Sequence, residues 1–360
     1  MRRPRSIQIR IGLIGGILLT SIVVLPQAGV SATGSAAIRA GALHDVVAIG
    51  ASDVWVVGSR GTVSHWDGST WQTQRLGNLR VPDLTAIDAV SSGDAWAVGG
   101  VVALDAFRPY LTHWNGAKWI RTRAPSVPGE AKLTDVVATS PSNAWAVGWL
   151  LKQSIGGQRV GGVVFRWNGS RWRRIPAPRG ASLSGVAVVD GAPIVSGQRG
   201  ATSTPVIARR RGGAWRVVPM PEPPGRSCTL NGITATPTAA AGSCTSPGRP
   251  RAPYLVQRHD GAWDMVPTTG TGALSDVAGG PAAWAVGGAR PANQLLALRL
   301  SRTGAWNRAA TPHLSGGGTL QAVDVRAFGD AWAVGWRGGA GRFALVLRWD
   351  GAGWVVSTPP

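Results

Sequence analysis

The chain is poor in residues that favour helices and in residues that bind metals or act as nucleophiles. Its 360 residues include only two Glu, three Lys, two Cys, two Tyr and five His, against 51 Gly, 25 Pro and 18 Trp. Because Glu and Lys favour helices whereas Gly and Pro mark turns, this composition predicts an all-β chain of short strands. The scarcity of acidic residues leaves a formal net charge of +20. Such a charge favours polyanionic partners, and an arginine-rich solvated surface is the alternative explanation.

The first 32 residues have the pattern of a secretory signal peptide. Four arginines precede an uncharged apolar stretch over residues 11–25, and small residues at positions 30–32 offer a cleavage site. The stretch is shorter than the roughly 20 residues that a membrane-spanning helix needs. We therefore expect a signal peptide over residues 1–32, a lead-in segment over residues 33–42, and a secreted mature chain without a membrane span.

A repeat of 41 to 50 residues runs through the rest of the chain. Each copy opens with Leu, followed three positions later by Val or Ile, and the seven copies start at Leu43, Leu84, Leu133, Leu183, Leu230, Leu274 and Leu320. A repeat of this length is typical of a four-stranded propeller blade, which packs only against its neighbours. The sequence therefore predicts a seven-bladed β-propeller over residues 43–360, with four antiparallel strands per blade.

Each copy divides into four short segments, which we interpret as strands a, b, c and d. Strand a follows the opening Leu, and strand b has the pattern Ala-Trp-Ala-Val-Gly. In five copies strand c ends at Asp-Gly or Asn-Gly, which predicts a two-residue primed turn into strand d. Sixteen of the 18 Trp residues fall at repeated positions. We therefore expect these tryptophans to pack the blades rather than to bind a ligand.

The fourth and fifth copies depart from the repeat. Ile194 replaces the strand-b Trp in the fourth copy, and Gly242 stands near that position in the fifth. The fifth copy also holds both cysteines, Cys228 and Cys244, in segments that an antiparallel a–b pairing would bring together. In a secreted chain such a pair predicts a disulfide. A redox or metal-binding pair is disfavoured, because no C-x-x-C spacing or His cluster accompanies it.

The best-preserved copies resemble a known repeat, as residues 94–99 (DAWAVG) and 113–119 (HWNGAKW) illustrate. They are similar to the repeat of secreted bacterial propellers related to kelch and galactose-oxidase-type domains. The Asp-Gly-x-x-Trp element also resembles the Asp-box of sialidase-like propellers, with one residue fewer between Asp and Gly. The resemblance covers residues 43–360 and implies the propeller fold. It leaves activity open, because propellers host both binding proteins and enzymes.

Residues for catalysis on a propeller are scarce. A sialidase-type glycosidase needs a tyrosine nucleophile, a Glu partner and clustered arginines, and the sequence offers only Tyr110, Tyr254, Glu130 and Glu222. Copper chemistry of the galactose-oxidase type needs His and Tyr ligands. The five His are scattered, and three take corresponding strand-c positions on different blades, namely His65, His113 and His259. We expect no catalytic residue and no cofactor; a polysaccharide-acting glycosidase or lyase of propeller fold is the alternative.

Five carboxylates take related positions on strand a. Each lies two or four residues after the opening Leu, so all share one face of the innermost strands; they are Asp45, Asp88, Asp135, Asp276 and Asp324. One hypothesis is a ring near the channel mouth that binds a cation or a basic ligand. The alternative is that each Asp accepts backbone hydrogen bonds where the inner strands converge.

The connections between strands b and c vary most in length among the copies. Because variable loops on a rigid scaffold usually carry function, we expect a ligand to bind on the face that these connections form. The two Trp outside the repeat fall there among arginines, a combination that stacks on sugar rings or bases and pairs with anionic groups. The candidate ligand-binding residues are Trp149, Trp336, Arg108, Tyr110, Arg159, Arg199, Arg249 and Arg337.

These features together predict a secreted, monomeric, non-catalytic recognition propeller. Its expected partner is an anionic cell-wall polymer, a glycan or a protein, bound through the basic variable face. Nucleic acid is a less favoured partner. Besides the enzyme named above, a purely structural scaffold in the cell envelope remains an alternative.

Overall fold

The computed structural model describes residues 41–77, 81–154, 157–200, 203–280, 282–290, 294–327, 329–338 and 343–357. The predicted signal peptide and most of the lead-in segment lie outside the described residues. The described chain forms 28 β-strands and a single short 3₁₀ helix, Ser59–Gly61. The strands make seven four-stranded antiparallel sheets, and the innermost strand of each sheet contacts those of both neighbours. This ring confirms the predicted seven-bladed β-propeller.

The first four blades use the first 16 strands in chain order. Blade 1 consists of β1 (Leu43–Gly50), β2 (Asp53–Gly58), β3 (Thr62–Trp66) and β4 (Trp71–Arg75). Blade 2 consists of β5 (Asp83–Ser91), β6 (Asp94–Ala103), β7 (Ala106–Trp114) and β8 (Trp119–Thr122). Blade 3 consists of β9 (Glu130–Ser140), β10 (Asn143–Ser154), β11 (Gly157–Trp167) and β12 (Trp172–Ile175). Blade 4 consists of β13 (Ala181–Val189), β14 (Ala192–Arg199), β15 (Thr204–Arg211) and β16 (Ala214–Val218).

The last three blades follow the same order. Blade 5 consists of β17 (Ser227–Thr234), β18 (Ala239–Ser246), β19 (Arg249–His259) and β20 (Ala262–Met265). Blade 6 consists of β21 (Gly272–Ala278), β22 (Trp284–Ala289), β23 (Gln294–Leu300) and β24 (Trp306–Arg308). Blade 7 consists of β25 (Gly318–Ala327), β26 (Asp330–Arg337), β27 (Phe343–Trp349) and β28 (Trp354–Ser357). Every described sheet is built from consecutive strands, so the ring closes by packing blade 7 against blade 1 without strand exchange.

The glycine that ends the Ala-Trp-Ala-Val-Gly segment has a steric cause. In each blade it pairs with the opening Leu of strand a, beside a register shift in the a–b ladder. A Cβ at this glycine would overlap the carbonyl oxygen of the residue before that Leu. In blade 5 the glycine paired with Leu230 is Gly242. The interpretation of Gly242 as standing near the strand-b Trp position is therefore corrected, because Ala239 takes that position, opposite Gln257.

Tryptophans join neighbouring blades in groups of three. Trp96 on strand b of blade 2 lies 4.9 Å, between ring centroids, from both Trp167 and Trp172 of blade 3. Three further interfaces repeat this arrangement, in the sets Trp55, Trp114 and Trp119; Trp284, Trp349 and Trp354; Trp332, Trp66 and Trp71. Each strand-b ring in these sets is at most 3% exposed. The rings therefore stabilise the contact between blades by burying large apolar surfaces.

Each strand-b ring also contacts a residue on strand c of its own blade. Trp55 stacks on His65 at 4.3 Å, and Trp96 lies 4.4 Å from His113. In blades 3, 6 and 7 an arginine replaces the histidine, with its guanidinium 5.3 to 5.4 Å from the ring centroid in the pairs Trp145–Arg166, Trp284–Arg299 and Trp332–Arg348. The position of His65 and His113 is taken in blade 5 by Gln257. The predicted correspondence of His259 with these histidines was therefore wrong.

The c–d turns differ from the predicted two-residue primed form in blades 1, 2, 3 and 7. In blade 1 the pairing of Trp66 with Trp71 closes a four-residue loop. The Asp67 carboxylate accepts the backbone N–H groups of Ser69 and Thr70, both at 2.8 Å, and these hydrogen bonds lower the pKa of Asp67. The shape that these turns share thus comes from an Asp or Asn side chain whose oxygen accepts hydrogen bonds from the backbone of the loop. Blade 5 has the primed form, with positive φ at Asp260 (46°) and Gly261 (91°).

The fifth blade carries the predicted disulfide. Cys228 on β17 and Cys244 on β18 pair directly in the a–b ladder and are bonded to each other. The bond joins the two inner strands of the blade whose strand b has Ala239 in place of the large aromatic ring. It therefore adds covalent support to a blade that has lost its strand-b tryptophan, although the bond lies at the other end of the ladder from Ala239.

Candidate functional site

The b–c and d–a connections lie on one face of the ring, which we call the b–c face, and blade 3 has the longest hairpin there. Strand β10 has 12 residues, whereas β2 has 6. Its ladder with β11 continues without interruption from the Ala144–Trp167 pair to the Ser154–Gly157 pair. The b–c connection of blade 3, which the sequence predicted as a variable loop, is therefore mostly an extended β-hairpin. Strands β6 and β7 form a similar but shorter extension.

An open groove of about 670 Å³ lies between the hairpins of blades 2 and 3. The connection over residues 124–129 lines it, together with polar side chains that include Arg108, Glu130 and Gln158. Arg108 Nη1 donates a hydrogen bond of 2.8 Å to the Gly129 carbonyl oxygen, which ties the hairpin of blade 2 to this connection. The groove is large enough to hold several units of an extended polymer or peptide.

Basic and apolar side chains project from the two hairpins that frame the groove. Lys152 and Arg159 are exposed and lie directly opposite each other in the β10–β11 ladder, on the other face of the hairpin from Leu151, Gln153 and Gln158, which line the groove. Like charges in this arrangement destabilise a sheet, and a bound anion would relieve their repulsion. Leu104 is 90% exposed on the hairpin of blade 2, and Val160 is 59% exposed on that of blade 3. The two hairpins thus combine positive charge with apolar surface.

Trp149 packs between blades 2 and 3 on the same face. Its ring meets that of Phe107 edge to face at 5.7 Å. Lys132 Nζ lies 5.7 Å from the Phe107 centroid and donates a hydrogen bond of 2.6 Å to Asp83. The half-buried Trp149 therefore supports the wall of the groove and presents only part of its ring to solvent.

The other predicted ligand-binding residues do not converge on this groove. Tyr110 is 5% exposed, and the Arg121 guanidinium lies 5.1 Å from its ring centroid, so Tyr110 is a core residue beneath the face rather than a surface contact. Burial also raises the pKa of the Tyr110 phenol. Arg249 lines a separate groove of about 390 Å³ at blade 5. The remaining three end strand b in blades 4 and 7, namely Arg199, Trp336 and Arg337.

Several residues of the groove escaped the sequence analysis. Phe107 and Lys132 were not selected, because no repeat position marks them and their contact joins two blades. Leu104 and Val160 carried a usable signal, since both are apolar residues inside variable connections.

The candidate catalytic residues lie apart. Tyr110 is in blade 2, whereas Tyr254 is in blade 5, where it is 2% exposed and donates a hydrogen bond of 2.5 Å to the Pro221 carbonyl oxygen. Burial, and then the nearby Glu222, raise the pKa of the Tyr254 phenol. Two histidines on strand c bond to strand-b carboxylates, His65 to Asp53 at 2.7 Å and His113 to Asp94 at 2.8 Å. Both tyrosines are thus nearly buried, and Tyr254 contributes to the lining of the groove at blade 5.

Five carboxylates line the central channel. Asp45 accepts the N–H of Val46 on its own strand and that of Ile87 on the innermost strand of blade 2, both at 2.8 Å. The same double acceptance recurs at Asp88, Asp135, Asp276 and Asp324. Within the described ranges, no group of three or more His, Cys, Asp or Glu side chains is placed to hold a metal ion. Each of the five carboxylates therefore links two neighbouring blades, because it accepts hydrogen bonds from backbone N–H groups of both.

Burial along the channel raises the pKa of all five carboxyls. The value reaches about 7 for Asp88, about 8 for Asp135 and about 6 for Asp276, and the pKa is also raised for Asp45 and Asp324. Removal from bulk water is the main cause, because it disfavours the charged form. Neighbouring carboxylates raise the pKa further, as Asp276 does for Asp135, whereas the backbone hydrogen bonds lower it.

The residue after the opening Leu makes a second contact between blades. Its side chain bonds to the carbonyl oxygen of the opening Leu in the next blade, and the five described cases are His44, Thr85, Thr134, Ser184 and Asn231. Ser184 and Asn231 belong to the fourth and fifth blades, which lack the channel Asp. This polar contact therefore links the innermost strands where the carboxylates do not.

Comparisons with known proteins identify the fold. No protein-family model matches the chain, and no curated protein does. Among solved structures, YCF48 from Cyanidioschyzon merolae superposes with a TM-score of 0.55 at 17% identity, covering 86% of this chain and 95% of that one. A structure of YCF48 bound to D1 peptide gives 0.52 at 15% identity, covering 86% and 93%. The WD40 propeller domain of Doa1 gives 0.52 at 13% identity, covering 85% and 92%. At these identities the likeness shows a propeller and assigns no family.

The strands leave little helix in the structure. Among the described residues, none of the helical segments is long and apolar enough to cross a membrane.

Proposed function

We propose that this protein is an exported recognition propeller whose b–c face binds an acidic, partly apolar segment of a partner protein. The observation that carries this proposal is the pair of hairpins that project from blades 2 and 3 on the b–c face. They carry the exposed basic Lys152 and Arg159 together with the exposed apolar Leu104 and Val160. Charge complementarity would guide the partner, and the apolar side chains would supply buried area on binding.

Two further observations support the proposal. YCF48, which shares the fold, has been solved with a bound peptide. The Cys228–Cys244 disulfide fits a chain exported to an oxidising compartment, as the signal-peptide pattern predicts. The kelch and galactose-oxidase resemblance of the repeat stays a prediction, and it is compatible with a binding role.

An anionic polymer, such as a cell-wall polymer or an acidic glycan, is the alternative ligand for the same face. It would use Lys152 and Arg159 without needing the apolar residues of the two hairpins. The two ligands therefore differ in how strongly they depend on Leu104 and Val160.

The test measures binding of the purified protein to three immobilised probes. These are a peptide that alternates Glu with Leu, poly-glutamate, and teichoic acid. We expect the alternating peptide to bind most tightly, and the variant Lys152→Glu/Arg159→Glu to weaken that binding about tenfold or more. The matched control is Arg173→Glu/Arg174→Glu, which makes the same charge change on the outer strand of blade 3 and should bind normally.

A second pair of variants separates the ligand classes. Leu104→Ser/Val160→Ser should weaken binding of the alternating peptide and leave retention of teichoic acid unchanged. Stronger binding of teichoic acid than of the peptide would replace the protein partner by a polymer. Absence of binding to all three probes at low salt would contradict recognition of any anionic ligand by this face.

A further inference from the structure

The interface between blades 4 and 5 lacks two of the three aromatic rings that fill four of the other interfaces. Ile194 takes the strand-b Trp position of blade 4, since it pairs with Arg209 as Trp145 pairs with Arg166. Arg258 takes the position of the Trp that ends strand c in blade 5, since it pairs with Trp263 as Trp167 pairs with Trp172. Trp263 is therefore the one ring of the usual three that this interface retains.

The missing rings leave a cavity of about 220 Å³ between the two blades. Its apolar lining includes Ile194, Val218 and Trp263. A buried cavity of about 150 Å³ lined by such side chains is enough to hold benzene. The space between blades 4 and 5 therefore suits a single aromatic ring or a bicyclic ring.

Four arginines complete the lining of this cavity, and none of its lining residues is acidic; they are Arg209, Arg211, Arg216 and Arg258. Arg209 and Arg216 face each other in the β15–β16 ladder. Such a concentration of guanidinium groups around an apolar space favours a ligand that carries negative charge.

Arg209 shows most clearly what the loss of the tryptophan has changed. In blades 3, 6 and 7 the equivalent arginine lies over the strand-b ring, whereas the Arg209 side chain lies beside Ile194 and is 12% exposed. Its Nη2 donates to the Val189 carbonyl oxygen at 2.7 Å and to Asp190 at 2.9 Å. Its buried Nε has no hydrogen-bond partner. A nearly buried guanidinium with a free donor and no ring beside it is a ready partner for an aromatic anion.

The interface between blades 5 and 6 shows that loss of the strand-b ring alone does not leave arginines around an apolar space. Between blades 5 and 6, Ala239 stands at the strand-b Trp position. There Gln257 accepts a hydrogen bond of 2.7 Å from Trp306 Nε1, so the polar side chain and the remaining indole satisfy each other. Between blades 4 and 5 the polar groups are arginines, which have no acceptor to offer to Trp263.

We propose that the cavity between blades 4 and 5 binds an aromatic ring that carries an anionic group, such as an aryl carboxylate. The ring takes the place of the missing indole against Trp263 and Ile194, and the anionic group pairs with the arginines. Thr238 and Gly261 lie in the a–b and c–d turns of blade 5, so this site opens on the face opposite the b–c face. It is independent of the proposed protein-binding groove.

The test is calorimetric titration of the full chain with indole-3-acetate, neutral indole and acetate. We expect indole-3-acetate to bind and the other two probes to bind at least about tenfold more weakly, because each lacks one half of the recognised chemistry. A peptide that ends in Trp, with a free or an amidated carboxylate, identifies the source of the ligand. Binding of the free acid alone assigns the end of a polypeptide, whereas exclusion of both peptides assigns a free small molecule.

The decisive variant restores the residue of the other blades. Ile194→Trp should fill the cavity, keep or raise the midpoint of unfolding, and abolish binding of indole-3-acetate. Ile120→Trp adds the same ring on the exposed outer strand of blade 2 and should bind as the native protein does. Arg211→Gln/Arg216→Gln should weaken binding of indole-3-acetate and leave the weaker binding of indole unchanged.

Two results would overturn the proposal. One is the absence of any measurable binding of indole-3-acetate to the native chain. The other is equal binding by the native chain and by folded Ile194→Trp. Lys152→Glu/Arg159→Glu should bind indole-3-acetate normally, so failure of this site and failure of the protein-binding groove give different results.

Discussion

Asp324 on the innermost strand of blade 7 accepts a hydrogen bond of 2.7 Å from the amide of Ala48 on the innermost strand of blade 1. Because no strand is exchanged between these blades, this bond is one of the direct polar links across the seam of the ring. The same carboxylate also accepts the N–H of Val325. It thus satisfies two buried backbone donors with one side chain.

We predict that Asp324→Ala lowers the free energy of unfolding by about 2 kcal/mol, because it leaves the amides of Ala48 and Val325 without their acceptor. Urea denaturation followed by circular dichroism measures the change. Asp264→Ala removes a carboxylate whose side chain is 63% exposed and should change the free energy by less than about 0.5 kcal/mol. Equal effects of the two substitutions would show that the seam does not depend on Asp324.

The channel carboxylates predict a pH dependence of stability. The pKa of Asp135 is about 8 in the folded chain against 3.8 for a free Asp side chain, so above about pH 4 the folded state keeps a proton that the unfolded state releases. Stability should therefore fall as the pH rises from 4 to 8, and thermal denaturation across this range measures it.

Asp135→Asn serves to assign this dependence to the channel. The amide cannot ionise, so the variant should show a smaller fall of Tm between pH 4 and pH 8, although its Tm is lower throughout because one acceptor becomes a donor. A slope identical to that of the native chain would exclude Asp135 as a source of the effect.

The tryptophan groups predict a large cost for truncating one strand-b ring. Trp96 is 1% exposed and contacts two rings of blade 3, so Trp96→Ala should lower the free energy of unfolding by about 3 to 5 kcal/mol. Trp149→Ala removes the same side chain from the b–c face, where the ring is only half-buried, and should cost less. Denaturation midpoints in urea compare the two variants directly.

A pair of glycines in blade 3 tests the steric account of strand b. A Cβ on Gly148 would overlap the Lys132 carbonyl oxygen, whereas a Cβ on Gly161 would meet no atom within 4 Å. Gly148→Ala should therefore destabilise the protein by more than about 2 kcal/mol, since the a–b ladder must shift to admit the methyl group. Gly161→Ala should be neutral or slightly stabilising. Thermal denaturation measures both variants, and the midpoint of Gly148→Ala should lie below that of Gly161→Ala.

The disulfide predicts a defined response to reduction. The bonded cysteines are 16 residues apart, and cross-linking a loop of this size stabilises a fold by about 3 kcal/mol. Adding a reductant should lower the urea midpoint of the native chain to that of Cys228→Ala/Cys244→Ala. The double variant itself should not respond to the reductant. A native midpoint unchanged after complete reduction, verified by thiol labelling, would contradict this account.

The blade architecture could be predicted because each blade repeats the same few steric requirements. The opening Leu, the strand-b Gly and the Trp of strand d are all fixed by packing against neighbours, so their spacing is visible in the sequence. The Asp67 turn was predicted less well. Asp-Gly favours a primed turn by its backbone, but here the side chain caps a longer loop, and the residue type alone does not separate these two uses.

The candidate site was predicted only in part for a different reason. Arg108, Trp149 and Arg159 were found because they lie in or beside the variable b–c connections, but Arg108 and Trp149 make their contacts with residues outside their own blade. Lys132 reaches Phe107 across an interface between blades, and no local pattern records such a contact. Ile194 departs from the repeat, so the sequence also indicated a change at the interface between blades 4 and 5. It did not indicate the cavity that the missing tryptophan leaves.

The closure of the ring by consecutive strands means that a chain could be opened between any two blades without splitting a sheet. A circular permutant that begins at blade 3 and ends at blade 2 would still build seven intact sheets, provided that a linker joins the old ends. In evolutionary terms, the same property lets a single blade be duplicated, lost or exchanged as one uninterrupted stretch of the gene. The seven copies differ in detail, since one carries the cysteines and another lacks the strand-b ring. Such differences are expected if the blades changed independently of one another.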